Sequence, residues 1–150
     1  MTVRKARKGA VTALLAAVTL AGAAACGTPE ITADRLAGSV GPEFRRLFVL
    51  QQVQLHGADN TPPPDTWARC GKGGRAAGGS GPGDDWVCLV HWPAPSGITQ
   101  PIGYEVHVEP NGCYSAQGPA TLVGQQRVQG ADGRTRTNPL YEFDGCFDTT

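Results

Sequence analysis

The stretch from Gly81 to Gln117 constrains this chain more than any other. After the turn residues Gly81-Pro82-Gly83-Asp84-Asp85 comes Trp86-Val87-Cys88-Leu89-Val90-His91-Trp92, an almost unbroken apolar run whose aromatic and β-branched side chains fit a pleated, packed surface. It predicts a central strand. Alternation sends Trp86, Cys88, Val90 and Trp92 to one face and Val87, Leu89 and His91 to the other, and so apolar a run implies that both faces are at least half covered. Pro93-Ala94-Pro95-Ser96-Gly97 has too many prolines to carry a ladder. From Ile102 to Glu109 the alternation is cleaner, with Tyr104, Val106 and Val108 on one side and Glu105, His107 and Glu109 on the other, as in a sheet with one dry face and one wet face. Pro110-Asn111-Gly112 is a turn signal, and Cys113-Tyr114-Ser115-Ala116 opens a third strand.

The other end of the chain has a different character. Arg4, Lys5, Arg7 and Lys8 precede an apolar run from Val11 to Leu20, too short for a stable span, and the small residues Ala21 to Ala25 lead to Cys26. This pattern resembles the export signal of bacterial lipoproteins, which implies cleavage before Cys26, a diacylglyceryl group on its thiol, and an anchored position at the outer face of the cell membrane. Ala23 departs from the family, which has Leu or Val three residues before the cysteine. Ala23-Ala24-Ala25 also satisfies an ordinary small-x-small cleavage rule, and a free secreted protein is the alternative. The segments GPGDDWVC, GYEVHVEPNGCY and FDGC resemble small uncharacterised secreted bacterial lipoproteins, a resemblance that implies no activity.

Without residues 1–25 the chain carries nine basic against thirteen acidic side chains, a net charge of −4. That excludes the basic stripe of a nucleic-acid binder and any attraction to anionic headgroups, so membrane association would rest on the lipid at Cys26. The expected partner is an extracytoplasmic protein or a cell-wall ligand.

Residues 26–31 read as a tether and 32–150 as a single small α+β domain. Leu36, Val40, Phe44, Leu47 and Phe48 recur at helical spacing, interrupted by Gly41-Pro42, so the expectation is a short helical turn at 32–38 and a main helix from Pro42 to about Gln54. Pro62-Pro63-Pro64 favours an extended connection, and Trp67-Ala68-Arg69-Cys70 reads as an edge strand. Gly71 to Gly83 holds seven glycines and no large apolar side chain, which predicts a mobile surface loop acting as a spacer. Thr121 to Val128 offers a fourth strand, 129–138 a polar loop around Asp132-Gly133, and Leu140, Tyr141, Phe143 and Phe147 an apolar tail. The fold expected is an N-terminal helix packed on a three- to four-stranded antiparallel sheet with two disulfides and long loops.

With Cys26 taken by the lipid, four of the five cysteines remain, and none has the C-x-x-C spacing of a metal or redox site. Three pairings exist. Cys70–Cys88 with Cys113–Cys146 is favoured, because the first closes the glycine-rich loop and the second ties the tail to the sheet.

Chemistry-bearing motifs are thin. Gly71-Lys72-Gly73-Gly74-Arg75-Ala76 fits a dinucleotide fingerprint formally, but no amphipathic helix follows it to meet a phosphate, and no cofactor is expected. His91 and His107 fall too far apart along the ladder to share a metal in the natural register, and only a longer loop would assemble His91, Glu105 and His107, so no metal is expected. Ser80 lacks a nucleophile elbow, and Asp84-Asp85 reads as a turn former. The aromatics Trp67, Trp86, Trp92 and Tyr104 are many for a small sheet. Core packing accounts for most, and Trp67, Trp92 and Tyr104 are the candidates to line a binding groove at its edge. The function expected is a non-catalytic binding or accessory module, with an inhibitor of an extracellular hydrolase as the alternative and a small secreted hydrolase third.

Overall fold

The computed structural model describes residues 30–57, 62–92 and 101–147; the export signal and Cys26 lie outside them. Its elements are α1 (Ala33–His56), β1 (Trp67–Lys72), β2 (Gly83–His91), β3 (Ile102–Val108), β4 (Cys113–Gln117), α2 (Ala120–Val123), β5 (Arg127–Gln129), β6 (Thr135–Thr137) and β7 (Glu142–Cys146). The strands β1, β2, β3, β4 and β7 form one antiparallel sheet in that spatial order, and β5 pairs with β6 as a separate ribbon. The class is α+β, as the sequence predicts, with five strands in the sheet rather than three or four. No helix among the described residues is long and apolar enough to cross a membrane.

The predicted break at Gly41-Pro42 does not occur, and α1 runs through it as one helix. Thr32 caps its start, its hydroxyl accepting from Arg35 N–H at 3.3 Å. Leu36, Val40, Phe44, Leu47 and Phe48 form one buried stripe across the proline. Burying each of these side chains is worth about 1.5–3 kcal/mol, which outweighs the ~3 kcal/mol cost of an interior proline. Pro42 itself is exposed, and so is Gly38, whose carbonyl loses its helical donor to the proline. Gly41 serves contact rather than termination: a Cβ there would stand 3.2 Å from Ala68 N, so its absence lets α1 settle on β1. The Thr66 hydroxyl donates to the Gly41 carbonyl at 3.1 Å and holds the strand's entry against the helix.

Under α1 lie Trp86, Cys88 and Val90 of β2, Tyr104, Val106 and Val108 of β3, Tyr114 and Ala116 of β4 and Phe143 of β7, all buried. The expected fourth strand at 121–128 is replaced by α2 and β5. The chain between β4 and β7 closes the core beneath the second half of α1 through Val123 and Leu140. The polar loop expected at 129–138 is a hairpin whose turn docks on the helix, Ala131 N–H donating to the Gln54 carbonyl at 2.9 Å.

Both disulfides have the expected pairing, and each joins residues directly opposite one another on neighbouring strands. They lie on opposite faces. Cys70–Cys88 is buried beneath the helix, whereas Cys146 of the second bridge is exposed on the other side of the sheet.

The stretch from Gly71 to Gly83 differs from the mobile spacer that its composition suggests. It is held by hydrogen bonds, not by packing. Lys72 N–H donates to Gly78 O and Gly78 N–H to Cys70 O, while Ala33 N–H donates to Gly79 O and Gly81 N–H to Ile31 O, which ties the loop to the entry of α1. Lys72 Nζ donates to the carbonyls of Ser80, Gly81 and Pro82 at 3.3, 3.4 and 2.7 Å. A Cβ at Gly71 would fall 2.0 Å from Arg75 O, so the tight return needs glycine there.

Candidate functional site

The helix covers one face of the sheet, and among the described residues no element packs on the other. Odd-numbered residues of β1, β2 and β3 point to this open face, and the register lines them up in rows: Trp67 with His91, Arg69 with Leu89 and Gly103, and Val87 with Glu105. The expectation that both faces of β2 are at least half covered holds, though narrowly at Val87, which is 41% exposed, while Leu89 and His91 are half-buried. Only one face of so apolar a strand packs under the helix; the other carries an apolar stripe in which Val87 is exposed and Leu89 half-buried.

The three aromatics proposed as a groove do not gather. Tyr104 is fully buried, its hydroxyl donating to the Leu140 carbonyl at 2.8 Å, and burial pushes its pKa above the ordinary phenol range. Trp92 is half-buried on the helix side, its ring centroid 5.0 Å from that of Phe48 and 6.2 Å from that of Phe44. Trp67 alone is on the open face, 54% exposed. Its ring stacks on His91 with centroids 3.7 Å apart and planes within 5°. Cross-strand ring pairs of this kind add about 0.5–1.5 kcal/mol beyond buried area, which holds the tryptophan in one orientation while one side of its ring stays free for contact. Desolvation, and secondarily the charge of Arg69, lower the His91 pKa, so its ring is neutral at neutral pH.

Beyond Val87 the face turns acidic. One residue too many in β2 makes a bulge, where Asp84 and Asp85 both oppose His107. The bulge splits the pair that the sequence suggested was a turn former: Asp84 bonds His107 Nδ1 on the open face, and Asp85 lies 3.6 Å from Lys72 Nζ at the loop. The register sets residue 91 opposite residue 101, so His107 lies six residues further along the ladder, and the alternative His91, Glu105 and His107 grouping does not form. Among the described residues no three His, Cys, Asp or Glu side chains converge as metal ligands. Glu105 shares a row with Gln117 and Glu142, and His107 shares the next with Ser115 and Asp144. Two concavities of about 200 and 430 Å³ open here, flanking His107.

Sequence reasoning missed Asp84, Glu142 and Asp144 as members of this face, because the tail from Leu140 reads as simply apolar. The signal was present in Glu142-Phe143-Asp144, where one apolar residue between two acids is the alternation of an amphipathic strand.

Other candidate places are already engaged. The concavity at Lys72, Gly73, Arg75 and Ser80 is that of the glycine-rich loop, where the Lys72 ammonium is held by backbone carbonyls rather than presented to an anion. A groove of about 510 Å³ between α1 and Phe147 has its Arg46 bonded to Glu43 and its Ser39 to Tyr114. No protein-family model, curated protein or solved structure matches the chain.

Proposed function

We propose that this domain is exported, anchored through a lipid on Cys26 at the outer face of the cell membrane, and works there as a non-catalytic binding or accessory module whose contact surface is the open face of the sheet. The observation that carries the reading is Trp67: a large apolar ring, 54% exposed, stacked on His91 and continuous with Val87 and Leu89. The exposed side of the ring gains nothing for folding, and an apolar surface held in a fixed orientation is what partner recognition uses. Two disulfides support an oxidising compartment. Capture of an extracytoplasmic protein or cell-wall ligand from wall extract should be lost in Trp67→Ala and kept in Leu122→Ala, which removes an equally exposed side chain on α2. Equal capture by both variants would refute the surface. For the anchor, intact mass of membrane-fraction protein should show a diacylglyceryl addition on Cys26, and Cys26→Ser should release the chain; an unmodified mature Cys26 would refute it.

One observation favours an inhibitor as the second reading. The β5–β6 hairpin ends in a bonded turn with Arg134 exposed at its tip, Asp132 accepting from Arg134 N–H at 3.1 Å and from Arg136 Nη2 at 2.6 Å. A rigid basic tip loses little entropy on entering an acidic specificity pocket. Inhibition of a hydrolase with basic specificity that disappears in Arg134→Ala would favour it; no inhibition by the intact protein would remove it.

A further inference from the structure

From the layout of the open face we infer that its occupant is an extended, amphipathic, cationic segment of a partner protein, an inference that rests on the reading of this face as the binding surface. The face is divided. Its β1–β2 half presents Trp67, Val87 and Leu89 together with the exposed Arg69, which sits in the row with Leu89 away from the acids, and its β3–β4–β7 half presents Glu105, Glu142 and Asp144. Asp84 is matched by His107, but among the described residues Glu105, Glu142 and Asp144 have no cationic partner. Three carboxylates of like charge on neighbouring rows repel one another in the free protein, and a cation brought between them relieves that repulsion.

The register also sets the dimensions of the occupant. Glu105 and Glu142 stand in one row two strands apart, about 10 Å between backbones, and Asp144 is one row further, about 7 Å along the strand. Ser115 and Gln117 lie between them and bear no charge. Val87 is directly opposite Glu105, so the apolar stripe and the acidic rows meet with no gap. A segment crossing the strands in extended form repeats its side-chain direction about every 7 Å. It would therefore place an aliphatic or aromatic residue on Trp67 and Val87 and a lysine or arginine two to four residues away among the carboxylates. A neutral glycan would use the ring of Trp67 but gain nothing from the acidic rows, and an anionic lipid surface would be repelled by them.

The test uses the full chain and three probes: a peptide alternating Lys and Leu, its Glu and Leu counterpart, and an uncharged chitin oligosaccharide, each followed by tryptophan fluorescence and calorimetry. The Lys–Leu peptide should bind, weaken by about tenfold or more on going from low to high salt, and lose about tenfold or more in affinity for Glu105→Gln/Glu142→Gln/Asp144→Asn, whose exposed substitutions leave the core untouched. The same peptide should also lose affinity for Trp67→Ala. No binding of the Lys–Leu peptide, equal binding of the Glu–Leu peptide, or indifference to the triple substitution overturns the inference. Oligosaccharide binding that needs Trp67 but not the carboxylates would overturn the cationic partner while keeping the face as a binding surface. Binding of any probe unaltered by Trp67→Ala would sink the binding-surface reading itself.

Discussion

Asn138 is fully buried, and its side chain is used at every position: Nδ2 donates to the carbonyls of Val123 and Gln125, and Oδ1 accepts from Gln51 Nε2 and Leu140 N–H. This one residue joins α2, β7's approach and α1 with hydrogen bonds in a dry setting, where an unpaired group is costly. Asn138→Ala strands several partners and should cost about 2–3 kcal/mol, read as a lower urea midpoint with an unchanged slope. His91 makes a different kind of prediction at the same scale. Burial first, and the Arg69 charge second, lower its pKa, so the folded state prefers the neutral ring. The unfolded ring titrates near 6.5, so its contribution to stability is present above that pH and is lost as the pH falls through the lower folded value. An NMR titration of the His91 ring should give a midpoint below 6.5 that rises in Arg69→Gln; a midpoint at or above 6.5 would contradict the assignment.

Among the elements, α1 shows tertiary packing overriding local propensity. Pro42→Ala restores an N–H and removes a ring clash on the exposed side of the helix, and should stabilise by about 1–2 kcal/mol, somewhat less than the full proline penalty because the unfolded chain also gains freedom. Gly41→Val should do the reverse, since a side chain there is driven into the backbone of β1; thermal melts of the two variants should move in opposite directions. The glycine-rich loop is ordered by Lys72, whose ammonium donates to three carbonyls. Lys72→Met should leave the sheet intact while amide exchange at Gly78 and Gly81 accelerates about tenfold, equal to ~1.4 kcal/mol of local stability. Unchanged exchange there would show that the backbone bonds to Ile31 and Cys70 suffice without the ammonium.

For the molecule as a whole, the two disulfides act at different depths. Cys70–Cys88 closes 18 residues within the core and Cys113–Cys146 closes 33 on the open face. Accessibility governs thiol attack, so mild reduction followed by alkylation and mass mapping should label Cys113 and Cys146 first. Removing the larger loop should cost more by about 0.5 kcal/mol on closure entropy alone. Labelling of Cys70 and Cys88 ahead of the other pair would mean that the sheet opens at its β1 edge before the exposed bridge is reached.

Alternation and turn residues are local signals that survive without tertiary context, so the class and the β2–β3–β4 meander were legible in the sequence; the cysteines allowed three pairings, of which the sequence favoured the one that the structure shows. The sequence also held enough to place Trp67 on an edge strand. What the tertiary structure decided was everything that depends on which surface another element covers: that α1 passes through Pro42, that Lys72 gathers the glycine loop, that Tyr104 and Trp92 go under the helix while Trp67 does not, and that Asp84 reaches His107 through a bulge. Alternation divides a strand into two faces but carries no label saying which one a helix will cover. That choice follows from long-range packing, and with it came the meeting of an apolar stripe and three carboxylates from strands far apart in the chain.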